Sequence, residues 1–154
     1  MAVYPSCGGW EVFGQSPKIH LLMIDVLIVD DHPVMRELLR QVLKSYSDIL
    51  VAAEVGNGED AVTQVAIFQP AIALVDVHLP TMSGIETAKL IRTNSPRTLV
   101  IGLTAGEPDH EDMAMIAAGA SAVLNKADVV ERLYPTIVKT LKSYHFGELS
   151  VPLS

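Results

Sequence analysis

The segment AIALVDVHLPTMSG, residues 71–84, holds the pattern that decides the architecture. An unbroken apolar run from Ala71 to Val75 stops at Asp76, and a loop through Pro80 leads to Gly84, where a helical pattern opens. Continuous apolar character without polar alternation is what a strand covered on both faces of a parallel sheet requires. Working outward, comparable runs stand at Asp25–Val29, Ile49–Glu54, Thr98–Leu103 and Ser121–Leu124. Between them lie helical spacings. Pro33–Lys44 carries Val34, Leu38, Leu39 and Val42, and Glu59–Phe68 carries Ala61, Val62, Val65 and Phe68, stopping before Pro70. Gly84–Thr93 and Asp109–Ala118 follow, the second closed by Gly119. A last helix is expected after Asp128 as N-cap, burying Val130, Leu133, Ile137 and Leu141 and bent at Pro135. Five βα units with short loops predict a five-stranded, parallel, doubly wound sheet in a three-layer α/β/α sandwich.

The rest of the chain sets bounds on function. Its 154 residues are 49% apolar and 19% charged, ordinary globular usage with length enough for a sizeable core. The net charge of −7 argues against direct nucleic-acid binding, which needs a basic face, and suits a site that gathers divalent cations. Cys7 is the only cysteine, which excludes an intramolecular disulfide or a multi-cysteine zinc site. The longest apolar run, Leu21–Val29, is interrupted by Asp25 and falls far short of the ~20 residues of a membrane span. No secretory signal pattern precedes it, so the expectation is a cytoplasmic protein without a membrane partner. Residues 1–22 scatter Gly and Pro without periodicity and are expected to lie outside the fold, with Met23 a candidate natural start. The folded domain is expected over 23–142, and 143–154 as a tail or the start of a linker.

In an open parallel sheet, ligands bind beyond the carboxyl ends of the strands at the topological switch point. Asp30 and Asp31 end the first run, Asp76 the third and Thr104 the fourth, and Lys126 follows the fifth. Clustered carboxylates repel one another unless a hard cation offsets their charge, and Mg²⁺ suits such a set while keeping waters for phosphate oxygens. Asp76 can then attack phosphorus as a nucleophilic carboxylate, with Lys126 offsetting charge on the phosphoryl oxygens and Thr104 donating to the product. Taken singly, these residues have plainer readings. Asp31 can be a helix cap, Thr104 a turn residue and Lys126 a solvated charge; it is their coincidence at the ends of the right strands that argues for a site.

Two other functions fit parts of the sequence. Gly56-Asn57-Gly58-Glu59-Asp60-Ala61 matches a dinucleotide fingerprint, with Asp76 at the spacing of a ribose-binding acid, but Asp30, Asp31, Thr104 and Lys126 are then left without a role. An Asn-Gly turn entering a helix is the simpler account. A small phosphohydrolase with Asp76 as nucleophile is the enzyme alternative. It lacks the second aspartate that haloacid-dehalogenase-type phosphatases place two residues on, where this chain has His78.

The assembled motifs resemble the receiver domain of two-component response regulators from about Ile24 to Leu141. VLIVDDHPVMRELL is similar to that family's first strand and acidic pair, ALVDVHLPTMSGIE to its phospho-acceptor strand, VIGLTA to its switch strand and GASAVLNKAD to its lysine segment. The resemblance implies a flavodoxin-like (CheY-like) fold and phosphorylation of Asp76 by a histidine kinase or phosphotransfer protein. It implies that Asp31 binds Mg²⁺ directly and Asp30 through water, that Asp76 also faces the metal, and that the backbone carbonyl of His78, not its ring, is a ligand. Thr104 and Lys126 hold the phosphoryl group in this reading, and the signal passes to the face of the fourth helix, fifth strand and fifth helix, through which a homodimer can form. Two positions depart from the family. Val123 stands where a Tyr or Phe usually rotates inward, and polar Asn125 precedes the lysine, where an apolar residue is common. DDHP and Gly147-Glu148-Leu149-Ser150 are similar to the NarL/FixJ-type (LuxR-family) branch, whose members continue into a helix-turn-helix domain. The expectation is transcriptional control through an output domain outside this sequence, or a stand-alone receiver.

Overall fold

The computed structural model describes residues 23–149. The expectations for 1–22 and for 150–154 lie outside the described residues. Five strands, β1 (Ile24–Val29), β2 (Ile49–Val55), β3 (Ile72–Asp76), β4 (Leu99–Thr104) and β5 (Ala122–Asn125), form one sheet in the order β2-β1-β3-β4-β5. Every neighbouring pair is parallel. The helices are α1 (Pro33–Lys44), α2 (Gly58–Phe68), α3 (Gly84–Asn94), α4 (His110–Ala117) and α5 (Val129–Leu149), with a 3₁₀ turn at Lys126–Asp128. The order reverses between β1 and β3, so the crevice at the switch point opens where β1 and β3 both end in aspartate.

Side-chain alternation along each strand divides the core in two. Val26, Ile28, Ile72, Leu74, Ile101 and Leu103 face Leu39 and Leu43 of α1 and Leu133 and Ile137 of α5. Leu27, Val29, Ala73, Val75 and Val100 face Ala61 and Val65 of α2, Ala88 and Ile91 of α3 and Met115 of α4. Each fully buried Leu or Ile contributes about 1.5–3 kcal/mol by leaving water, which makes these two layers the main source of cohesion.

Several local expectations are corrected. Helix α1 buries Leu39 and Leu43, whereas Val34 is 83% exposed and Leu38 is also at the surface, because the inward stripe runs through the later i, i+4 pair. Phe68, at the end of α2, is likewise exposed. Strand β2 is a sheet edge and only half-buried along most of its length, so its apolar run does not mean cover on both faces. Asp128 is not the cap of the last helix. The chain first makes the 3₁₀ turn, capped by Asn125, whose Oδ1 accepts from Ala127 N at 2.8 Å. That extra turn rephases α5, so Val129, Leu133 and Ile137 face the sheet while Val130 points to solvent. Pro135 is on the exposed side of α5. The helix runs on to Leu149.

The fingerprint-like Gly56–Ala61 segment has a structural explanation. Asn57 caps α2 by accepting from Asp60 N at 2.8 Å, and a Cβ on Gly58 would lie 2.1 Å from Thr87 Oγ1 of α3. The glycine is needed for close helix packing.

Candidate functional site

Asp30 follows directly on β1, and Asp76 is the last residue of β3. The two strands are hydrogen-bonded neighbours, with Val29 level with Val75, so the two carboxylates share one end of the sheet. Both are almost wholly buried, Asp30 at 0% and Asp76 at 2% exposure. They are held alike. Asp30 Oδ1 accepts from His32 N at 2.9 Å, and Asp76 Oδ1 accepts from His78 N at 3.1 Å. Each carboxylate thus spends one oxygen on the amide two residues ahead, which fixes its rotamer. The remaining oxygens meet Lys126, whose Nζ lies 2.7 Å from Asp30 Oδ2 and 3.1 Å from Asp76 Oδ2.

Lys126 reaches this position because it begins the turn just after β5. Thr104 ends β4, is level with Asn125 on β5, and is 7% exposed. Its hydroxyl bonds none of the described residues, which leaves it available to a ligand. Asp31 is at the rim with its side chain 34% exposed, and its Oδ1 lies 3.1 Å from His32 Nδ1. The start of α3 presses against the strand end that carries Asp76. Gly84 N donates to the Val77 carbonyl at 2.9 Å, and a Cβ on Gly84 would fall 2.0 Å from the Asp76 carbonyl oxygen. The His78 ring nitrogen Nε2 is 2.9 Å from Oε1 of Glu111 of α4.

The electrostatics follow from this crowding. Burial, then the neighbouring charge of Asp30, raises the pKa of Asp76, against the lowering influence of Lys126 and the His78 amide. Burial disfavours the charged form of Lys126, but its bond to Asp30 and the charges of Asp76 and Asp30 outweigh this and raise its pKa. Apart from Lys126, the buried Oδ2 atoms of Asp30 and Asp76 accept no hydrogen bond. Ligand atoms of Asp30, Asp31, His32 and Asp76 all lie within 4.8 Å of one another. Hard carboxylate oxygens with unmet acceptor capacity fit a hard divalent cation.

The structure therefore brings Asp30, Asp31, Asp76, Thr104 and Lys126 to one rim, as their strand-end positions predicted. Sequence reading gave no role to three supporting residues, although it marked Asn125 as an unusual polar position. His32 donates to Asp30, Arg36 Nη1 donates to the Asp30 carbonyl at 2.6 Å, and Asn125 Nδ2 donates to the Gly106 carbonyl. The His32 amide was signalled by its spacing two residues after Asp30, which suits an Asx turn. The partners of Arg36 and Asn125 depend on how loops close, and only the unusual polarity of Asn125 marked either in the sequence.

Comparison with known proteins places this geometry in a family. Residues 26–137 match the model of the response regulator receiver domain. The chain belongs to the receiver domain family. Its relatives include a protein-glutamate methylesterase/protein-glutamine glutaminase of Nitrosospira multiformis, 39% identical over 66% of this chain and 29% of that protein. The nitrate/nitrite response regulator NarP of Escherichia coli is 34% identical over 73% of this chain and 52% of that protein. Among solved structures, the response regulator domain of Thermotoga maritima CheB matches with a TM-score of 0.72 and 25% identity, covering 78% of this chain and 97% of that one. The receiver thus spans about a third to a half of the curated relatives it matches. Among the described residues of this receiver, no helix is long and apolar enough to cross a membrane.

Proposed function

We propose that this receiver domain takes a phosphoryl group on Asp76 and passes the resulting change to an output partner. One observation carries the assignment: the Asp76 carboxylate, buried at the switch point, shares the Lys126 ammonium with Asp30, with an unbonded Thr104 hydroxyl at the end of the next strand. An Asp76 oxygen attacks phosphorus of the donor, forming the P–O bond of an acyl phosphate. The donor's P–N bond breaks, and its electron pair leaves with the imidazole nitrogen of a kinase or phosphotransfer histidine. Burial and the neighbouring charge of Asp30 raise the pKa of Asp76, which favours it as a nucleophile. Lys126 is already in place to meet developing charge on the phosphoryl oxygens, and Thr104 can donate to the product.

Asp31, Asp30 and Asp76, whose carboxylate oxygens cluster, are the residues that would hold Mg²⁺, together with the His78 carbonyl that the family resemblance adds; when bound, the ion offsets charge on the transferring phosphoryl group. Asp31 is assigned the direct contact because its carboxylate faces only His32, whereas Lys126 already engages Asp30. The setting proposed is the cytoplasm, with a sensor histidine kinase or histidine phosphotransfer protein upstream. Transcription control through a helix-turn-helix domain outside this sequence is the proposed output, and the face of α4, β5 and α5 the place where a second copy or an output domain meets the receiver. Exposed Met113 and Ile116 on α4 support that choice.

The test is incubation with acetyl phosphate and Mg²⁺ followed by intact-mass measurement. One phosphoryl adduct that maps to Asp76 is expected. Steady release of phosphate from phosphoesters without an adduct would favour the hydrolase reading instead, and neither result would leave only a binding role.

A further inference from the structure

The two groups expected to meet the phosphoryl oxygens, Thr104 and Lys126, stand at the ends of neighbouring strands and lead into different loops. In such a pair, something must keep the loops in step if both groups are to reach one ligand. Val123 offers no ring to do so: it is partly buried beside a groove of about 360 Å³ lined by Asp112, Met113, Ile116 and Ala117. The polar residue two positions later makes the link instead. Asn125 Nδ2 donates to the carbonyl of Gly106, in the loop that follows Thr104, while its Oδ1 accepts from Ala127 N at 2.8 Å. Gly106 turns this loop with φ +84°, a conformation that favours glycine. Among the described residues, this is the only side-chain hydrogen bond joining the loop at 105–109 to the turn at 126–128.

We propose that Asn125 is a positioning residue whose side chain clasps the loop after Thr104 to the turn that starts with Lys126, so that hydroxyl and ammonium are presented to the phosphoryl group as one unit. The inference rests on the phosphoryl site proposed above. Its logic is preorganisation: a loop already tied in place has less freedom to lose when the ligand arrives. The two ends of the amide have separable jobs. The oxygen caps the 3₁₀ turn, and the nitrogen alone reaches the Thr104 loop.

Two substitutions separate them. Asn125→Leu removes both bonds at similar size, and Asn125→Ser keeps a short acceptor for Ala127 N while losing the reach to Gly106. Beryllofluoride with Mg²⁺ serves as the phosphoryl probe, titrated into each full-length protein while backbone amide signals are followed. Both variants are expected to show altered Gly106 and Glu107 signals before any probe is added, and to bind the probe about three- to tenfold more weakly, the weight of one net hydrogen bond. A purely structural cap would spare Asn125→Ser, so wild-type behaviour of that variant in both readouts overturns the clasp. Unchanged or tighter binding by Asn125→Leu overturns it as well. The underlying reading fails separately, if the wild-type protein itself shows no response to the probe at Asp76 and Thr104.

Discussion

Asp76 carries a charge where a charge is least welcome, and its replacement should show this. Its pKa is raised in the folded protein by burial and then by Asp30, so the native state binds the proton more readily than the unfolded chain does. Stability therefore falls as pH climbs from the ordinary carboxylate value through the raised one, and the penalty is complete above the raised value. Asp76→Asn should abolish labelling by acetyl phosphate and yet stabilise the metal-free fold at pH 7, by on the order of 1 kcal/mol. Lys126 keeps its contact with Asp30 in that variant. Urea midpoints in chelator at pH 7 and near pH 4 would check it: the gain should shrink at the lower pH, where wild-type Asp76 is itself becoming neutral. The aspartates after β1 differ in another way. Asp31→Ala should weaken Mg²⁺ binding by about a hundredfold or more and Asp30→Ala by about tenfold, as loss of a direct ligand and of a supporting group do. Calorimetric titration giving equal affinities would contradict their assigned roles.

At the scale of elements, strand ends and helix starts are fitted to one another with little slack. Gly84→Ala would drive a methyl into the Asp76 carbonyl, so α3 or the end of β3 must move, and a loss of about 2 kcal/mol or more together with slower phosphorylation is expected. Thermal melts and labelling rates of one preparation measure both. Val123 is the opposite case. The groove beside it offers room for a ring, so Val123→Tyr should be tolerated within about 1 kcal/mol, and a large fall in melting temperature would show that α4 cannot accept it. How legible such matters were in the sequence depended on whether one element or two decided them. The central strands announce themselves because Ile72–Val75 and Val100–Leu103 are apolar throughout, and Asp76 and Thr104 mark where each stops. Phase was harder to read. Periodicity points to Val130 as core, but Val129 takes that place, because the 3₁₀ turn ahead of α5 shifts the helix by a fraction of a turn. The apolar run of β2 did not disclose that it lies at an edge, since strand order is set by which crossover goes which way.

For the whole molecule, a net charge of −7 with buried acids at one rim means that a divalent cation should tighten the fold as well as serve the chemistry. At a hundredfold excess over its Kd, Mg²⁺ should add about 2.7 kcal/mol to unfolding stability, seen as a rise in melting temperature that Asp31→Ala largely removes. The arrangement of the strands carries a last consequence. Asp30, Asp76, Thr104 and Lys126 come from β1, β3, β4 and the turn after β5, and each parallel neighbour is reached only through an intervening crossover. These four residues come from four separate stretches of the sequence. During synthesis on the ribosome, Asp76 emerges long before the lysine that balances it, and an emerging chain has no ammonium at that rim until β5 has docked beside β4. On the proposed reading, a nascent chain would present the acceptor carboxylate before the lysine that faces it, so the site is complete only once the sheet is assembled.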